Sequence, residues 1–272
     1  MSINHNAPSE LIIQPQNSSH EFDEKTFDAH ADLYEKMFSA PYRQHLEIPT
    51  LGALLGDLSG LSILDFGCGP GFISRWLQGK GAHRVVGYDI SEGMLSYAKF
   101  KEQQEPRGIS YISTLNDSLS EQFDIVLAIY VMPYAPNKEK LLDMCQIMAR
   151  LLKPGGRLIT LPIHPEFSPD PEYYRPYGFR LIEKEARADG SLVNLHICHP
   201  PYDVNIDAHF WSELTLTSTL HNTGFHDISW HQLQPPQVGK EYDVSLDGYL
   251  RAPHAAIIEG IKVNSAKPQG GR

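Results

Sequence analysis

A glycine-rich turn after a short apolar segment is the feature that most restricts what this chain can fold into. Residues 62–66 predict a buried strand, and Gly67, Gly69 and Gly71 follow it before a helix that we expect to begin near Phe72. Because glycine adopts positive φ angles and has no Cβ, such a turn lets a ligand lie against the main chain at a helix N-terminus. A tight βα connection without a ligand is the alternative interpretation.

Strand-length apolar segments alternate with helix-length amphipathic segments along most of the chain. The predicted strands are residues 62–66, 84–89, 109–113, 123–129 and 157–163, followed later by 225–234 and 254–263. Ser91 and Asn137 are expected to cap two of the intervening helices, and residues 209–222 predict another helix. This alternation is typical of α/β proteins whose parallel sheet is covered by helices on both faces.

Residues 164–207 interrupt the alternation with a long insert. Within it, residues 179–186 and 192–199 predict a β-hairpin that turns at Asp189-Gly190. We expect this β-hairpin insert to form a cap over the site, because so long a connection in a compact domain usually has a function. The predicted organisation is a single domain over 22–264, with an N-terminal helical lid over 22–56 and disordered tails over 1–21 and 265–272.

The composition disfavours several classes of protein. The chain has 272 residues, 41% of them hydrophobic, which is enough for one large core. It contains no apolar run of about 18 residues and no secretion signal, so we expect a cytoplasmic protein without a membrane segment. The formal net charge of −10 disfavours a nucleic-acid partner. The three cysteines, far apart in sequence, predict no disulfide framework.

Asp89 stands at the end of the second predicted strand, where a carboxylate can accept hydrogen bonds from both ribose hydroxyls of a nucleoside. A nicotinamide dinucleotide would use the same acid. The dinucleotide fingerprint places its third glycine further from the second, whereas here only Pro70 separates Gly69 from Gly71. The glycine spacing therefore argues against a dinucleotide.

Four motifs, in order, resemble those of the class I S-adenosylmethionine-dependent methyltransferases. They are Asp65-Phe66-Gly67-Cys68-Gly69-Pro70-Gly71, Asp89, Phe123-Asp124-Ile125-Val126 and Leu152-Lys153-Pro154-Gly155-Gly156. The resemblance covers residues 62–160 and implies a Rossmann-like seven-stranded sheet of strand order 3-2-1-4-5-7-6. It also implies S-adenosyl-L-methionine as the cofactor and S-adenosyl-L-homocysteine as its product.

The same resemblance implies the cofactor contacts. The three glycines would adjoin the methionine and ribose portions, Asp89 would hold the ribose, and Ile90 and Met94 would line the adenine. The expected cofactor-binding residues are Tyr34, Asp65, Gly67, Cys68, Gly69, Gly71, Asp89, Ile90, Met94, Leu115, Asn116, Asp117 and Ala128.

The loop after the third predicted strand departs from the family pattern. Members often carry an acid there that binds the adenine amino group, whereas Leu115 occupies the nearest equivalent position. Asn116 or Asp117 could take that role. A helix-capping role in the loop is the alternative for Asp117.

The acceptor side has fewer signals, because methyl transfer mainly requires alignment and exclusion of water and no universal catalytic residue is expected. Residues 128–134 contain no carboxylate, which predicts metal independence. His164 after the fifth strand is a candidate base, with hydrogen bonding to nearby backbone as the alternative. Tyr34 in the lid is a second candidate catalytic residue. The expected substrate contacts are Tyr42, Tyr130, Tyr134, His164, Tyr177 and Trp211.

A second set of residues resembles the toxoflavin-type natural-product methyltransferases: Tyr177-Gly178-Phe179, Asp189-Gly190, Phe210-Trp211 and Gly224-Phe225 with Trp230. The function predicted from the whole sequence is metal-independent methyl transfer to nitrogen or oxygen, less favourably carbon, of a small metabolite in secondary metabolism. A cofactor-binding regulator or a cyclase without methyl transfer is the alternative. The expected partner is the small-molecule acceptor, and a homodimer is also considered.

Overall fold

The computed structural model describes residues 31–198, 200, 202–234 and 244–264. The tails predicted over 1–21 and 265–272 lie outside the described residues, as does the part of the predicted lid before residue 31. His199, the last residue of the predicted hairpin, lies outside them as well.

The strands are short, as expected for an α/β domain. They are β1 (Ser62–Phe66), β2 (Arg84–Tyr88), β3 (Ser110–Ile112), β4 (Phe123–Ile129), β5 (Leu152–Leu161), β6 (Phe179–Glu183), β7 (Leu192–Ile197), β8 (Val204–His209), β9 (Phe225–His231) and β10 (Ile257–Lys262). Seven of them form one sheet in the order β3-β2-β1-β4-β5-β10-β9. Neighbours from β3 to β5 are parallel, and β10 is antiparallel to both β5 and β9. With β6 to β8 set aside, this is the predicted order 3-2-1-4-5-7-6.

The helices lie between these strands and in the N-terminal segment. They are α1 (Ala31–Phe38), a π-helical turn (Arg43–Glu47), α2 (Ile48–Leu55), α3 (Phe72–Gly79), α4 (Glu92–Gln104), α5 (Lys138–Leu151), α6 (Glu213–Asn222) and α7 (Asp247–Arg251). Short 3₁₀ turns occupy Asp117–Leu119, Met132–Tyr134, Arg175–Tyr177 and Val244–Leu246. Among the described residues, no helix has the length and apolar character needed to cross a membrane.

Side-chain caps set the starts of three helices. The side chain of Ser91 accepts a hydrogen bond from the backbone N–H of Met94, and that of Asn137 accepts one from Lys140, so both predicted caps are confirmed. Ser212 caps α6 in the same way. The prediction that this helix begins at residue 209 is therefore wrong by four residues, because His209 still belongs to β8.

The insert between β5 and α6 is a three-stranded antiparallel sheet rather than a two-stranded hairpin. β6 pairs with β7, as predicted, and β7 pairs on its other edge with β8. The third strand satisfies backbone groups of β7 that a hairpin would leave open at an edge.

The core occupies both faces of the central sheet. Ile63 and Ile125 belong to one buried cluster, while their neighbours Leu64 and Val126 belong to another on the opposite face. Successive side chains of a strand point to opposite faces of the sheet. A strand that is apolar at every position must therefore be packed against other elements on both faces. The first cluster also contains lid residues such as Phe38 and insert residues such as Phe179, so both segments pack on one side of the sheet.

Candidate active site

The glycine turn connects β1 to α3 through three residues with positive φ. Gly67, Gly69 and Gly71 have φ values of 73°, 52° and 81°. The backbone N–H groups of Gly67 and Cys68 donate to the carbonyl oxygen of Tyr88, at 2.7 and 2.8 Å. These bonds hold the turn at the carboxyl end of β2, which is the edge where open α/β sheets bind their ligands.

Asp89 shapes the same turn with both of its carboxylate oxygens. Oδ2 accepts a hydrogen bond from the backbone N–H of Gly69 at 2.7 Å, and Oδ1 accepts one from Ser91 at 2.9 Å. Asp89 also lines a cavity that begins at the glycine turn. The Asp89 carboxylate therefore holds the glycine turn in place. It also lies at the space where we expect the cofactor to bind.

Asp65 is the buried acid beneath the turn. Its carboxylate accepts a hydrogen bond from the hydroxyl of Ser74 at 2.6 Å, and only 1% of the residue is exposed. Burial raises the pKa of Asp65 to about 7; the Ser74 hydrogen bond opposes this increase, and the charge of Asp89 adds to it. A buried carboxyl with its pKa near neutral is typical of functional sites and of structural networks alike.

A cavity of about 1150 Å³ runs from the glycine turn to the ends of β4 and β5 and to the insert. It brings together many of the site residues predicted from the sequence. Those that line it are Tyr34, Tyr42, Asp65, Gly67, Cys68, Gly69, Asp89, Ile90, Met94, Tyr130 and Tyr134. The predicted site residues outside its lining are Gly71, Leu115, Asn116, Asp117, Ala128, His164, Tyr177 and Trp211.

The loop after β3 does not reach the cavity. Asn116 instead caps a 3₁₀ turn by accepting from the backbone N–H of Ser118. The Asp117 side chain is 97% exposed and pairs with Arg150 at 2.7 Å. Leu115 packs against the core cluster on the opposite face of the sheet. The cap is thus made by Asn116 and not by Asp117, and the residue that binds the adenine amino group stays a prediction.

Two predicted cofactor residues have structural contacts instead. The carbonyl oxygen of Ala128, buried in β4, accepts from the hydroxyl of Thr160 at 2.8 Å. The carbonyl oxygen of Gly71 accepts from the hydroxyl of Tyr111, whose ring occupies the space that a Cβ on Gly71 would need. Gly71 is therefore required for packing beneath the turn.

The predicted substrate residues that miss the cavity also have other partners. Nδ1 of His164 accepts from the backbone N–H of Glu166 at 2.9 Å, which is the backbone alternative considered for it. The hydroxyl of Tyr177 donates to the carbonyl oxygen of Ser245. Trp211 is only 2% exposed and belongs to the core cluster.

Helix α1 closes over the glycine turn through one ion pair and one tyrosine pair. Nη2 of Arg75, on α3, donates to both carboxylate oxygens of Glu35 at 2.7 and 2.8 Å, and its Nη1 donates to the carbonyl oxygen of Pro70. The side chains of Tyr34 and Tyr134 are neighbours, and each shifts the pKa of the other, so the lid also meets the segment after β4.

A buried polar cluster at the acceptor side joins Tyr130, a predicted substrate residue, to residues that the sequence analysis missed. Glu47 is 1% exposed; its Oε2 accepts from Nε of Arg43 at 3.1 Å, and its Oε1 accepts from the hydroxyls of Tyr130 and Tyr249, the latter at 3.2 Å. The Tyr249 hydroxyl is also hydrogen-bonded to Nδ1 of His254 at 2.5 Å. The only sequence signal was the i, i+4 spacing of Arg43 and Glu47.

Three members of this cluster, Arg43, Tyr130 and His254, line the cavity. Tyr130 has a φ of 58°, a conformation that is rare for a bulky residue and often found at functional sites. Burial lowers the pKa of His254 to about 3, and the charges of Arg43 and His164 act in the same direction. His254 is therefore a neutral imidazole at the cavity wall.

Comparison with known proteins agrees with the motifs. Residues 63–156 match a family described as a methyltransferase domain. The chain is 33% identical over 199 residues to a ubiquinone biosynthesis O-methyltransferase of Coxiella burnetii strain Dugway, covering 70% of this chain and 74% of that protein. Matches to proteins of the same description from Xylella fastidiosa strain 9a5c and Coxiella burnetii strain RSA 331 span 44% and 47% of those proteins.

Solved structures share the fold. An S-adenosylmethionine-dependent methyltransferase from Listeria monocytogenes superposes with a TM-score of 0.57 at 23% identity, covering 79% of this chain and 96% of that chain. Magnesium protoporphyrin IX methyltransferase from Synechocystis PCC 6803, solved with bound cofactor, has a TM-score of 0.54 at 20% identity, covering 90% and 99%. The chain therefore belongs to the class I S-adenosylmethionine-dependent methyltransferases, enzymes for which S-adenosylmethionine is the cofactor.

Proposed function

We propose that this methyltransferase acts on a hydroxyl oxygen, or secondarily an amine nitrogen, of a small metabolite. The observation that carries the proposal is the continuity of the cavity, which joins the glycine turn and Asp89 to an aromatic chamber at the ends of β4 and β5. A methyl donor and a small acceptor can thus lie side by side in one continuous cavity, as an in-line displacement requires.

The residues at the glycine turn fit the cofactor. A Cβ on Gly69 would stand in the cavity with only the sulfur of Met94 within 4.0 Å, so the bare backbone leaves room for a ligand. Asp89 offers carboxylate lone pairs for ribose hydroxyls, and Ile90 and Met94 supply apolar surface for the adenine. The bound cofactor would supply an electrophilic methyl group.

The acceptor half of the cavity is mainly apolar and aromatic. Tyr42, Tyr130, Ile163, Phe179 and Leu181 line it. Such walls suit a planar or apolar small molecule, with a few polar groups to orient it. We expect metal-independent transfer there.

The insert acts in this proposal as the cap that selects the acceptor. Residues Phe179, Leu181, Gly190, Leu192 and Leu195 of the insert all line the cavity. A cap of this kind would keep water away from the reacting groups while α1 covers the cofactor side. Oxygen is favoured because the related Coxiella burnetii protein is an O-methyltransferase of ubiquinone biosynthesis. A role in natural-product biosynthesis stays a prediction.

A labelling experiment tests the proposal. The purified protein is incubated with cofactor carrying a deuterated methyl group and with small-metabolite extracts, and mass spectrometry identifies the species that gains this group. We expect one hydroxyl-bearing or amine-bearing metabolite to be labelled, and much slower labelling with the Asp89→Asn variant at a low cofactor concentration. If the cofactor binds but no metabolite is labelled in any extract, a cofactor-binding regulator or cyclase becomes the better assignment.

A further inference from the structure

Building on the proposed function, we propose that His254 accepts the proton of the acceptor hydroxyl, and that Glu47 fixes the required tautomer of His254 through Tyr249. The acceptor is then a neutral molecule with a hydroxyl on an apolar, planar body. Neither His254 nor Tyr249 was a candidate in the sequence analysis, because only the folded chain brings them beside Glu47 and Tyr130.

The direction of the hydrogen bonds follows from what each group can donate. The Glu47 carboxylate is paired with Arg43 and can only accept, so the Tyr249 hydroxyl donates its single proton to Oε1 of Glu47. The Tyr249 oxygen is then an acceptor for Nδ1–H of His254, at 2.5 Å. A neutral imidazole protonated at Nδ1 carries its free lone pair at Nε2.

Nε2 of His254 is available at the cavity wall. No described residue forms a hydrogen bond with it, and it is not one of the fully buried polar atoms that lack a partner. The ring is held on its other sides by Tyr130, stacked with ring centroids 5.3 Å apart, and by Phe179, at 4.7 Å. Its position is therefore determined by packing as well as by Tyr249.

The backbone places this imidazole beside the end of β5. The carbonyl oxygen of His254 accepts from the backbone N–H of His164 at 2.8 Å, and Ala255 forms a bridge with Ile163. The ring of Tyr130, which follows β4, is stacked on the imidazole. Nε2 therefore stands at the edge between β4 and β5, where the acceptor approaches if the cofactor occupies the glycine turn.

The reaction moves one methyl group and one proton. A lone pair of the acceptor oxygen forms the new bond to the methyl carbon, and the carbon–sulfur bonding pair leaves with sulfur. The oxygen keeps the electrons of its O–H bond, and the proton passes to Nε2 of His254, from which it reaches solvent when the product leaves.

A weak base suffices for this step. The hydroxyl proton becomes strongly acidic only as the oxygen is methylated, so transfer late in the reaction does not need a basic imidazole. Because the pKa of His254 is lowered, its imidazole stays neutral and its Nε2 stays a hydrogen-bond acceptor throughout the neutral pH range. The lone pair at Nε2 selects a hydroxyl donor and repels a carboxylate, which has no proton to give.

Nitrogen NMR tests the tautomer without knowledge of the natural acceptor. The protein is labelled with ¹⁵N-histidine, bound to S-adenosylhomocysteine, and titrated with phenol or with anisole, which has the same ring and no proton to donate. We expect His254 to be protonated at Nδ1, and its Nε2 resonance to shift saturably with phenol and not with anisole. A proton on Nε2, or equal responses to the two probes, would overturn the proposal.

A variant of Tyr249 tests the role of Glu47 and Tyr249 in positioning. Tyr249→Phe removes the oxygen that accepts a hydrogen bond from Nδ1–H, so we expect a mixture of both tautomers of His254. Tyr97→Phe on α4 is the matched control, and we expect it to leave the histidine spectrum unchanged. An unaltered tautomer in folded Tyr249→Phe would remove the positioning role. If this variant does not fold, the wild-type titration still decides the tautomer.

Kinetics on the acceptor found by mass labelling complete the test. For His254→Gln we expect kcat to fall by about 100-fold with little change in KM or cofactor affinity. We expect no change for the control His83→Gln, because His83 is exposed and is not among the cavity-lining residues. Wild-type kcat in His254→Gln would exclude proton acceptance. If no metabolite is labelled while Nε2 still binds phenol selectively, the proposed function fails and the hydroxyl-binding role of His254 stands.

Discussion

The carboxylate of Asp89 accepts a hydrogen bond from the backbone N–H of Gly69 at 2.7 Å, across the turn that joins β1 to α3. The end of the second strand thereby holds the main chain of the first βα turn in its open shape. The sequence motif implies that Asp89 binds the ribose, and the structure adds that the same carboxylate organises the glycine turn.

Asp89→Asn should weaken S-adenosylmethionine binding by about 2 kcal/mol, or roughly 30-fold in Kd, because a neutral amide replaces a charge-assisted acceptor. Isothermal calorimetry measures the change. Asp117→Asn is the matched control: its side chain is exposed and paired with Arg150 away from the cavity, so the affinity should stay at the wild-type value. Equal losses in the two variants would contradict the site.

Glu35→Gln should speed the dissociation of the cofactor by roughly fivefold, because the bidentate pair with Arg75 that holds α1 over the glycine turn contributes about 1 kcal/mol. Stopped-flow displacement of S-adenosylhomocysteine gives the rate. Glu121→Gln, which removes a surface pair with Lys262, should leave the rate unchanged. If α1 plays no part in retaining the cofactor, both variants will release S-adenosylhomocysteine at the wild-type rate.

Asp65→Asn should become more stable relative to wild type as the pH rises from about 4 to about 7. Burial is the main reason why the pKa of Asp65 is raised to about 7 in the folded protein, so the folded state binds a proton that the unfolded state releases. That contribution to wild-type stability is complete at low pH and is lost as the pH rises through the folded pKa. Urea unfolding of the cofactor-free proteins across this range measures it, and parallel pH curves would contradict it.

Turnover of the labelled acceptor should survive dialysis against EDTA, and added magnesium should not increase it. The segment after β4 carries no carboxylate, and the described residues contain no cluster of three or more potential metal ligands. Loss of activity in EDTA with recovery in magnesium would show that a metal takes part in the reaction.

The insert illustrates what could not be predicted locally. The alternating pattern in 179–186 and 192–199 predicted β6 and β7, but β8 (Val204–His209) was missed and its last residue was assigned to a helix. β8 has only six residues, and the sequence does not report the pairing with β7 along its whole length that stabilises it.

The sequence by itself determined the alternation of strands and helices, the glycine turn, the helix caps at Ser91 and Asn137, and the family, because these depend on short-range periodicity, on backbone φ preferences and on motif order. The sheet order was implied by the family resemblance. Only the tertiary structure decided which polar side chains meet at the acceptor end of the cavity. Glu47 and Tyr249 are 202 residues apart, and their contact exists because the N-terminal segment and the region before β10 pack on the same side of the sheet. No local pattern reports such a contact, since burial and hydrogen-bond satisfaction are properties of the folded chain as a whole.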